Sequence, residues 1–508
     1  MSVWLVVAAT CGVRLWVIWG SFFWQDDYIH IWTAWNGDLV WQNWNGHREP
    51  ASFAVQWLLA RAAPQVWWPA AVVLSVVAVA TTVMFWLMLR RWGGVTPATA
   101  STAILFAAWP ATLVPQQWLS AGLETIPLAL LFTAGSLLAK PGRWTPWAVG
   151  LLAALAWGFH ERAVYLMPVL FAIAWMYTPG RAWRDNRASW IVLLAVTAAA
   201  LFLRIGDGLP GRAGGTSVPG ALWYAGPGSV LRSVLGWLPF DGRPLVPVSV
   251  GLWGLAVLTV WMLVLLVGLS TQPRRTLIIA AAFLAVFLVE VLSFVALRGG
   301  FAGARFAADP RFTLVAGTVL LAGLGSVTLK WRPAVALALG LAVLGSWSMW
   351  RLGVPEDPGR QWLADAHRVD RGAQMAATPS PPQMLAHFFF TTTDPVYELG
   401  TTRTLLQVGA RPYDFPELAA APVQVDESGR VGPLRFTPLV TSEDLQCGAV
   451  PLPGLDAGVR VARLLLEPGA RVQGVTGPEV YVFPPAGPLE PVQVTGCVRQ
   501  VEMGIPGR

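Results

Sequence analysis

Two adjacent carboxylates, Asp26 and Asp27, lie just after the first hydrophobic stretch of the chain. Neighbouring residues of a helix point about 100° apart, so the pair does not suit attack on one bond from two sides. One carboxylate would instead act as general base on an acceptor hydroxyl, while the other orients it or holds a cation. The alternative is that the pair caps a helix and is solvated at the membrane interface. However, charged side chains at the end of an apolar stretch cost free energy and are usually kept there by solvation or by a function. The pair therefore predicts proton-transfer chemistry beside a membrane surface.

Two short clusters combine a histidine, an arginine and a glutamate. Their members are His47, Arg48 and Glu49, followed by Pro50, and His160, Glu161 and Arg162. An arginine suits phosphate binding, and a histidine suits proton transfer or phosphate binding. We therefore expect both clusters to contact the phosphate or sugar of a substrate. The alternatives are an ordinary polar loop for the first cluster and self-pairing of Glu161 with Arg162 for the second.

A third candidate phosphate site lies further along, where Arg305 and Arg311 flank Asp309-Pro310. Two arginines at a membrane interface suit an anionic lipid phosphate, and Asp309-Pro310 is typical of a helix start. Ordinary anionic headgroups explain the arginines equally well.

Three charged residues lie inside apolar stretches: Arg14, Glu124 and Glu290. Such groups usually face a bundle interior or a wet cavity. The two glutamates either face such an interior or pair with Arg14, and we interpret all three residues as mostly structural.

Composition determines the class of protein that carries these residues. Of the 508 residues, 55% are hydrophobic and only 12% are charged, and the mean hydropathy is +0.54. Apolar stretches of membrane-spanning length recur up to about residue 350, which predicts a polytopic α-helical membrane protein. The segment after residue 351 is richer in Pro, Gly and acids. We therefore predict a transmembrane domain, 1–350, and a soluble domain, 351–508.

Positively charged loops predict the topology of this protein. We place about eleven spans, at 3–22, 69–89, 97–114, 119–139, 144–159, 163–178, 189–205, 246–270, 276–297, 312–329 and 333–350. Alternate loops carry the Lys and Arg residues, so those loops are cytoplasmic. The formal net charge of +7 reflects these loops and not nucleic-acid binding. Met1–Gly20 lacks signal-peptide features and is interpreted as a retained helix.

This topology places the N-terminus in the cytoplasm and the soluble domain outside the plasma membrane. It also brings the acid pair, both histidine clusters, the long 206–243 loop and the Arg305–Arg311 segment to the external face. The segment 144–178 fits either two short spans or one long helix. One long helix would place every later loop on the opposite side of the membrane.

The first external loop is rich in tryptophan. Ile29–Trp35 and Ala51–Ala62 are predicted to be short helices lying on the membrane. The tryptophans form either an aromatic belt or a platform that stacks on sugar rings.

The soluble domain is predicted to be mixed α/β and β-sandwich-like in part. A helix is expected at Gln361–Ala377, and short strands at Val459–Leu466, Val480–Phe483 and Val492–Val498. Cys447 and Cys497 would lie in an oxidising compartment and either form a disulfide or remain two free thiols.

The ordered motifs QDDYIHIW, HREP, WLSAGLETIPLALLF, FHERAVYLMPVLF and DPRFTLVAG resemble the GT-C superfamily of membrane glycosyltransferases, in particular an actinobacterial set of GT-C-like proteins. The resemblance covers most of residues 1–350. It implies sugar transfer from a polyprenyl-phosphate donor to a cell-envelope glycan or protein on the external face. It also implies that Asp26 or Asp27 is the catalytic base and that Arg305 or Arg311 contacts phosphate. The resemblance leaves open whether a divalent cation is required, and it implies that the anomeric configuration of the sugar is inverted.

Two other functional classes remain open at this stage. One is a transporter or flippase of a lipid-linked substrate, which should show internal repeats; the sequence has no clear repeat. The other is a non-catalytic envelope scaffold, or a glycan ligase or polymerase. A scaffold would tolerate loss of every external acid.

Overall fold

The protein was analysed as a computed structural model that describes residues 3–24, 26–42, 48–205, 216–237, 250–297, 303–353, 358–368, 373–375, 384, 405–406, 408, 418–425, 430–452, 461–483 and 491–506. These residues divide into two compact units. The helical unit comprises Met1–Ser21, Val40–Val55 and Trp67–Pro355. The mixed unit comprises Phe22–Leu39, Gln56–Val66 and Glu356–Arg508. Two segments of the first loop thus belong with the C-terminal region, a grouping that the sequence pattern does not mark.

A helix lies at each of the eleven predicted spans. In chain order, the α-helices that precede the long 206–243 loop are α1 Val3–Gly20, α2 Asp26–Asn36, α3 Pro50–Ala62, α4 Trp67–Gly93, α5 Pro97–Ala107, α6 Leu119–Leu123, α7 Ile126–Leu138, α8 Thr145–Phe159, α9 Leu166–Tyr177, α10 Ala182–Asp185 and α11 Arg187–Ile205. The α-helices that follow are α12 Val218–Ala225, α13 Leu231–Val234, α14 Gly251–Thr271, α15 Pro273–Leu297, α16 Leu314–Leu324, α17 Trp331–Leu352 and α18 Pro358–Ala366.

Five helical stretches in the described part of the chain are long and apolar enough to cross a membrane. They are Trp67–Gly93, Leu119–Leu138, Gly251–Thr271, Pro273–Ala296 and Arg332–Leu352. The protein is therefore a multi-pass membrane protein. Other helices at predicted spans are shorter than the roughly 20 residues that a crossing needs, such as α5 with 11 residues. Eleven crossings therefore remain a prediction.

Local sequence explains where several of these helices start and stop. Thr96 caps α5 and forms a reciprocal capping box with Thr99, and Pro97 begins the helix. Pro127, near the start of α7, lacks a backbone N–H and separates α6 from α7 within one apolar stretch. His160 has an extended backbone and separates α8 from a 3-10 helix over Glu161–Tyr165. The stretch 144–178 therefore forms two helices and not one continuous helix.

The core of the helical unit is built mainly from α4, α7, α9, α15 and α16. Its buried aromatic residues include Phe85, which stacks on Phe106 at a centroid distance of 4.1 Å. Glycine allows close approach at Gly317, where an added Cβ would lie 2.4 Å from the ring of Trp109. Close packing at this point places α16 beside the end of α5.

The mixed unit contains a sheet organised around one long strand. The strands are β1 Leu418–Ala419, β2 Val423–Val425, β3 Val431–Pro433, β4 Phe436–Ser442, β5 Gln446–Val450, β6 Val461–Leu466, β7 Arg471–Val472, β8 Val475–Thr476, β9 Glu479–Val482 and β10 Val492–Pro506. β10 pairs antiparallel with β4, β5, β6 and β7. β2 and β3 form a separate two-stranded sheet. Strands follow the predicted β-segments, and β10 continues well beyond its predicted end.

Cys447 and Cys497 are disulfide-bonded between the paired strands β5 and β10. The neighbouring Gly496 has φ +93°, and an added Cβ would lie 2.8 Å from the Cβ of Ala470. Glycine is needed here because the register of β10 against β5 shifts between Val494 and Cys497.

Candidate functional site

Three residues singled out in the sequence, His160, Arg162 and Arg311, gather around Glu124 in the helical unit. His160 Nε2 and Arg162 Nη1 each lie 3.3 Å from Glu124 Oε2. His160 Nε2 also lies 3.5 Å from Glu49 Oε1. We call Glu49, Glu124, His160, Arg162 and Arg311 the Glu124 cluster.

Glu124 reaches the cluster because of the break between α6 and α7. The helix stops at this residue, and Thr125 is held by a 2.7 Å hydrogen bond from its hydroxyl to the carbonyl of Gly122. Glu124 therefore lies at a kink and not on a regular helix face. Its interpretation as a partner of Arg14 is wrong, since His160 and Arg162 are its ionic neighbours.

Arg14 instead donates to three backbone carbonyls. Its Nε lies 2.8 Å from the oxygen of Ala107, and its Nη2 lies 2.9 Å from the oxygens of Phe106 and Trp109. These carbonyls are at the end of α5, where helix carbonyls lack intrahelical partners. Glu290 is also not paired with Arg14. Its carboxylate accepts from the backbone N–H groups of Val315 and Ala316 at 3.2 and 2.8 Å.

The hydrogen bonds of His160 define which of its ring nitrogens carries a proton. Nδ1 accepts from the backbone N–H of Arg162 at 3.0 Å, so Nδ1 is unprotonated. In the neutral ring, Nε2–H then points to the carboxylates of Glu124 and Glu49. Burial lowers the pKa of His160, although Glu124 acts in the opposite direction. The imidazole is therefore a neutral donor at pH 7.

Arg311 is positioned by its own local turn. Asp309 caps a 3-10 helix, Pro310–Thr313, by accepting from the backbone N–H of Arg311 at 2.9 Å. The other carboxylate oxygen of Asp309 accepts from Nε and Nη2 of Arg311, each at 2.8 Å. Phe312 follows directly and completes this turn.

Aromatic rings link Arg311 to the rest of the cluster. Its guanidinium carbon lies 4.8 Å from the ring centroid of Trp118 and 5.8 Å from that of Phe312. Arg162 approaches the same Phe312 ring at 5.7 Å. The side chains of Arg162 and Arg311 remain 18% and 17% exposed. Two guanidinium groups are thus held beside one aromatic ring while part of each stays accessible.

A small cavity borders Glu124, Arg162 and Tyr165 and is otherwise lined by apolar residues. Its volume is about 20 Å³, enough for about one water molecule. A phosphate would therefore meet the accessible sides of the arginines and not enter this cavity. The described residues contain no group of three His, Cys, Asp or Glu side chains arranged to hold a metal ion.

The other predicted site residues in the helical unit that the structure describes are more exposed than Glu49 and His160. Arg305 is exposed on the 3-10 helix Ala304–Ala308. Arg48 is exposed, whereas the adjacent Glu49 is 7% exposed. Glu161 is half-buried at the start of its 3-10 helix. His47 lies outside the described residues.

Asp26 and Asp27 begin α2 in the mixed unit. Asp27 is 1% exposed, and its Oδ2 accepts from the backbone N–H of Trp24 at 3.2 Å. Asp26 is half-buried. On the same helix, His30 Nδ1 is hydrogen-bonded to Gln56 Oε1 at 2.7 Å. Asp27 thus holds the start of the helix, and Asp26 is the more accessible of the two acids.

Sequence reasoning gave no separate role to Glu49 within its motif and interpreted Glu124 as mostly structural, so it did not place either carboxylate in one site with His160. The signal for Glu124 was present, because a carboxylate inside an apolar stretch usually faces a polar interior. No sequence signal shows that Glu49, and not Arg48, is the buried member of its motif.

No protein-family model and no curated protein sequence matches this chain. Two solved structures of ArnT from Cupriavidus metallidurans are similar to it. The structure bound to undecaprenyl phosphate shares 13% identity and a TM-score of 0.43, covering 76% of this chain and 84% of ArnT. The apo structure shares 14% identity and a TM-score of 0.45, covering 76% and 83%.

Proposed function

We propose that this protein is a membrane glycosyltransferase that moves a sugar from a polyprenyl-phosphate-linked donor to a cell-envelope glycan or protein acceptor. The observation that carries the proposal is the Glu124 cluster. It combines two partly accessible guanidinium groups, a neutral imidazole, the buried carboxylate of Glu49 and the partly exposed carboxylate of Glu124 in a multi-pass protein. A scaffold has no use for such a group, whereas transfer from a lipid phosphate needs both anion recognition and proton control.

Arg162 and Arg311 are the proposed contacts to the donor phosphate. A guanidinium binds phosphate through two parallel N–H bonds, and aromatic contacts hold its plane in place. Arg311 is fixed by Asp309 and by the ring of Trp118, 4.8 Å away. Arg305, exposed on the preceding turn, would meet lipid phosphates first. Arg48, Glu161 and His47 remain proposed contacts to the sugar or diphosphate.

Asp26 is the proposed general base, with Asp27 as the residue that positions it. Burial distinguishes the two, because Asp27 is 1% exposed and already accepts from the backbone of Trp24. In the reaction, Asp26 takes the proton of an acceptor hydroxyl. The hydroxyl oxygen forms a bond to the anomeric carbon as the bond from that carbon to the phosphate oxygen breaks. Polyprenyl phosphate leaves with the bonding electron pair.

The external face is the proposed location of this reaction. Basic loops predict a cytoplasmic N-terminus and an extracytoplasmic C-terminal region. The disulfide between Cys447 and Cys497 supports this location, since disulfides persist in oxidising compartments. A divalent cation is an optional partner of the acid pair in this proposal.

The test uses the full-length protein in liposomes with a panel of polyprenyl-phosphate sugars. Release of polyprenyl phosphate is followed by mass spectrometry. Asp26→Asn should lower kcat by about 10²–10⁴-fold, the usual contribution of a general base. Asp185→Asn is the matched control, since Asp185 is half exposed in a weak surface pair with Arg184, and its activity should equal that of the wild type.

Arg311→Gln should mainly raise KM for the donor, with Arg184→Gln as the control for loss of an arginine. An Asp26→Asn variant as active as the wild type would refute the assigned base. Translocation of a lipid-linked sugar without release of polyprenyl phosphate would favour the transporter alternative.

A further inference from the structure

A second buried arginine, Arg232, lies in a segment that the proposed function does not use. It is on α13 in the helical unit and is 5% exposed. Its guanidinium carbon lies 4.2 Å from the ring centroid of Trp237. Its Nε has no hydrogen-bond partner, and within the described part of the chain no carboxylate pairs with it. Burial lowers the pKa of Arg232.

This arrangement differs from that of Arg14, which is also buried, and from that of the partly exposed Arg162 and Arg311. Arg14 donates to three carbonyls, and Arg162 and Arg311 each have a carboxylate partner. An unpaired buried charge costs several kcal/mol, and an arginine stays protonated at any physiological pH. Among the described residues, the group that faces the Arg232 guanidinium is the electron-rich face of the Trp237 ring and not a carboxylate. A buried arginine in this state indicates an anion that binds there.

The surrounding segment is built in an unusual way. Gly226–Val230 forms a π-helix between α12 and α13, a feature that occurs often at functional sites. Ser229, three residues before Arg232, is fully buried, and its hydroxyl also lacks a partner. The segment thus holds an unpartnered cation and an unpartnered hydroxyl, the two kinds of donor that bind phosphate oxygens.

The position of Trp237 indicates where such a ligand would come from. The ring of Trp237 packs edge-on against Trp253 at a centroid distance of 5.0 Å. Trp253 is 58% exposed on α14, and only 11% of the most apolar stretch of this helix is buried. A helix this apolar and this exposed faces lipid. Arg232 is therefore separated from a lipid-facing surface by a pair of tryptophan rings.

We propose that Arg232 and Ser229 form a binding site for a phosphate group, and that a lipid carries this phosphate. The inference goes beyond the proposed glycosyltransferase, because it concerns binding and needs no transfer. The planar guanidinium of Arg232 would donate to two phosphate oxygens, and the hydroxyl of Ser229 would donate to one of them. The acyl chains of the lipid would lie along α14.

The test measures binding in phosphate-free maltoside micelles with the full-length chain. Dioleoylphosphatidic acid is the lipid probe, dioleoylglycerol is the matched lipid without phosphate, and inorganic phosphate is the soluble probe. Phosphatidic acid near 100 times its Kd should raise the Tm of the wild type by about 3 °C. Dioleoylglycerol should not. Arg232→Gln should weaken phosphatidic acid binding by roughly ten- to hundredfold, the value of a hydrogen bond to a charged group.

Two further variants keep the result interpretable. Arg143→Gln is the control, because Arg143 is exposed and also lies over a tryptophan, Trp144, at 5.2 Å; its affinity should be unchanged. Ser229→Ala removes only one hydroxyl and should weaken binding severalfold even if Arg232→Gln does not fold.

Each outcome decides the proposal. Equal stabilisation of the wild type and Arg232→Gln, or of the wild type and Ser229→Ala when Arg232→Gln does not fold, would overturn it. The absence of stabilisation by both phosphate probes would also overturn it. Equal protection by inorganic phosphate at the same concentration would keep the phosphate site and overturn its lipid source. These results are independent of whether any sugar is transferred.

Discussion

The Glu124 cluster and the Arg232 segment differ in how their positively charged side chains are paired. In the cluster, Arg162 and Arg311 each meet a carboxylate within 3.3 Å. In the segment, Arg232 contacts the ring of Trp237 and pairs with no carboxylate among the described residues. Removing one member of an ion pair destabilises the fold, because the other charge is left without its partner. For an unpaired charge, no ionic attraction offsets the cost of desolvation. The pairs of the cluster therefore need no ligand, whereas the proposed anion would offset the desolvation cost of Arg232.

Asp309→Ala should have the largest effect on stability. The substitution leaves Arg311 without its two hydrogen bonds and removes the cap of the 3-10 helix, and Asp309 is 3% exposed. We expect a loss of about 3 kcal/mol in the free energy of unfolding, measured by SDS titration in mixed micelles. Asp185→Ala, in an exposed pair, should change it by less than about 0.5 kcal/mol. Equal losses in both variants would contradict this interpretation of the Asp309 pair.

Glu124→Leu should come next, with a loss of about 2 kcal/mol. This value lies below that for a fully buried pair because Glu124 and Arg162 are about one fifth exposed. The double variant Glu124→Leu with Arg162→Leu should lose less than the sum of the single variants, since neither charge is then stranded. A double-mutant cycle measures this coupling, and strict additivity would show that the two side chains do not stabilise each other.

His160 should make the stability of the cluster depend on pH. Its pKa is lowered by burial, so between that lowered value and the ordinary value near 6.5 the unfolded chain is protonated while the folded protein is neutral. The free energy of unfolding should therefore rise with pH across this window and fall as the pH drops through it. His160→Gln should flatten the slope there. Nitrogen NMR should show Nε2 protonated and Nδ1 unprotonated at pH 7, and the reverse would contradict the assigned tautomer.

Arg232→Leu should have the smallest effect in the absence of phosphate. No carboxylate loses a partner, so the free energy of unfolding in maltoside micelles should change by less than about 1 kcal/mol, or increase. Arg162→Leu, measured alongside, should be clearly destabilising because it removes the arginine that pairs with Glu124. A loss of more than about 2 kcal/mol in Arg232→Leu would show that the segment is stabilised by its arginine without a ligand.

Much of the secondary structure was predictable because it depends on local patterns. A helix lies at each predicted span, and Val461–Leu466 matches a predicted strand almost residue for residue. The predicted helix Gln361–Ala377 is observed only as Pro358–Ala366. β4 and β5 had no clear signal, since both are mostly exposed and lack the alternation of a half-buried strand.

The candidate site was predictable in its residue types but not in its partners. The sequence indicated that His160, Arg162 and Arg311 belong near one another because their loops share a predicted face. It did not indicate Glu124 as their common neighbour, since a kink at Pro127 decides where that side chain points.

The sequence alone determined the class of this protein, the positions of its helices and the charged groups available for chemistry, because hydropathy and periodicity are local properties. Only the tertiary structure decided which charges are paired. Glu49, and not Arg48, is the buried residue beside His160. Arg14 donates to backbone carbonyls and not to glutamates, and the guanidinium of Arg232 lies over the ring of Trp237. The physical reason is that desolvation and ion pairing depend on distances between residues far apart in the chain, which no local pattern encodes.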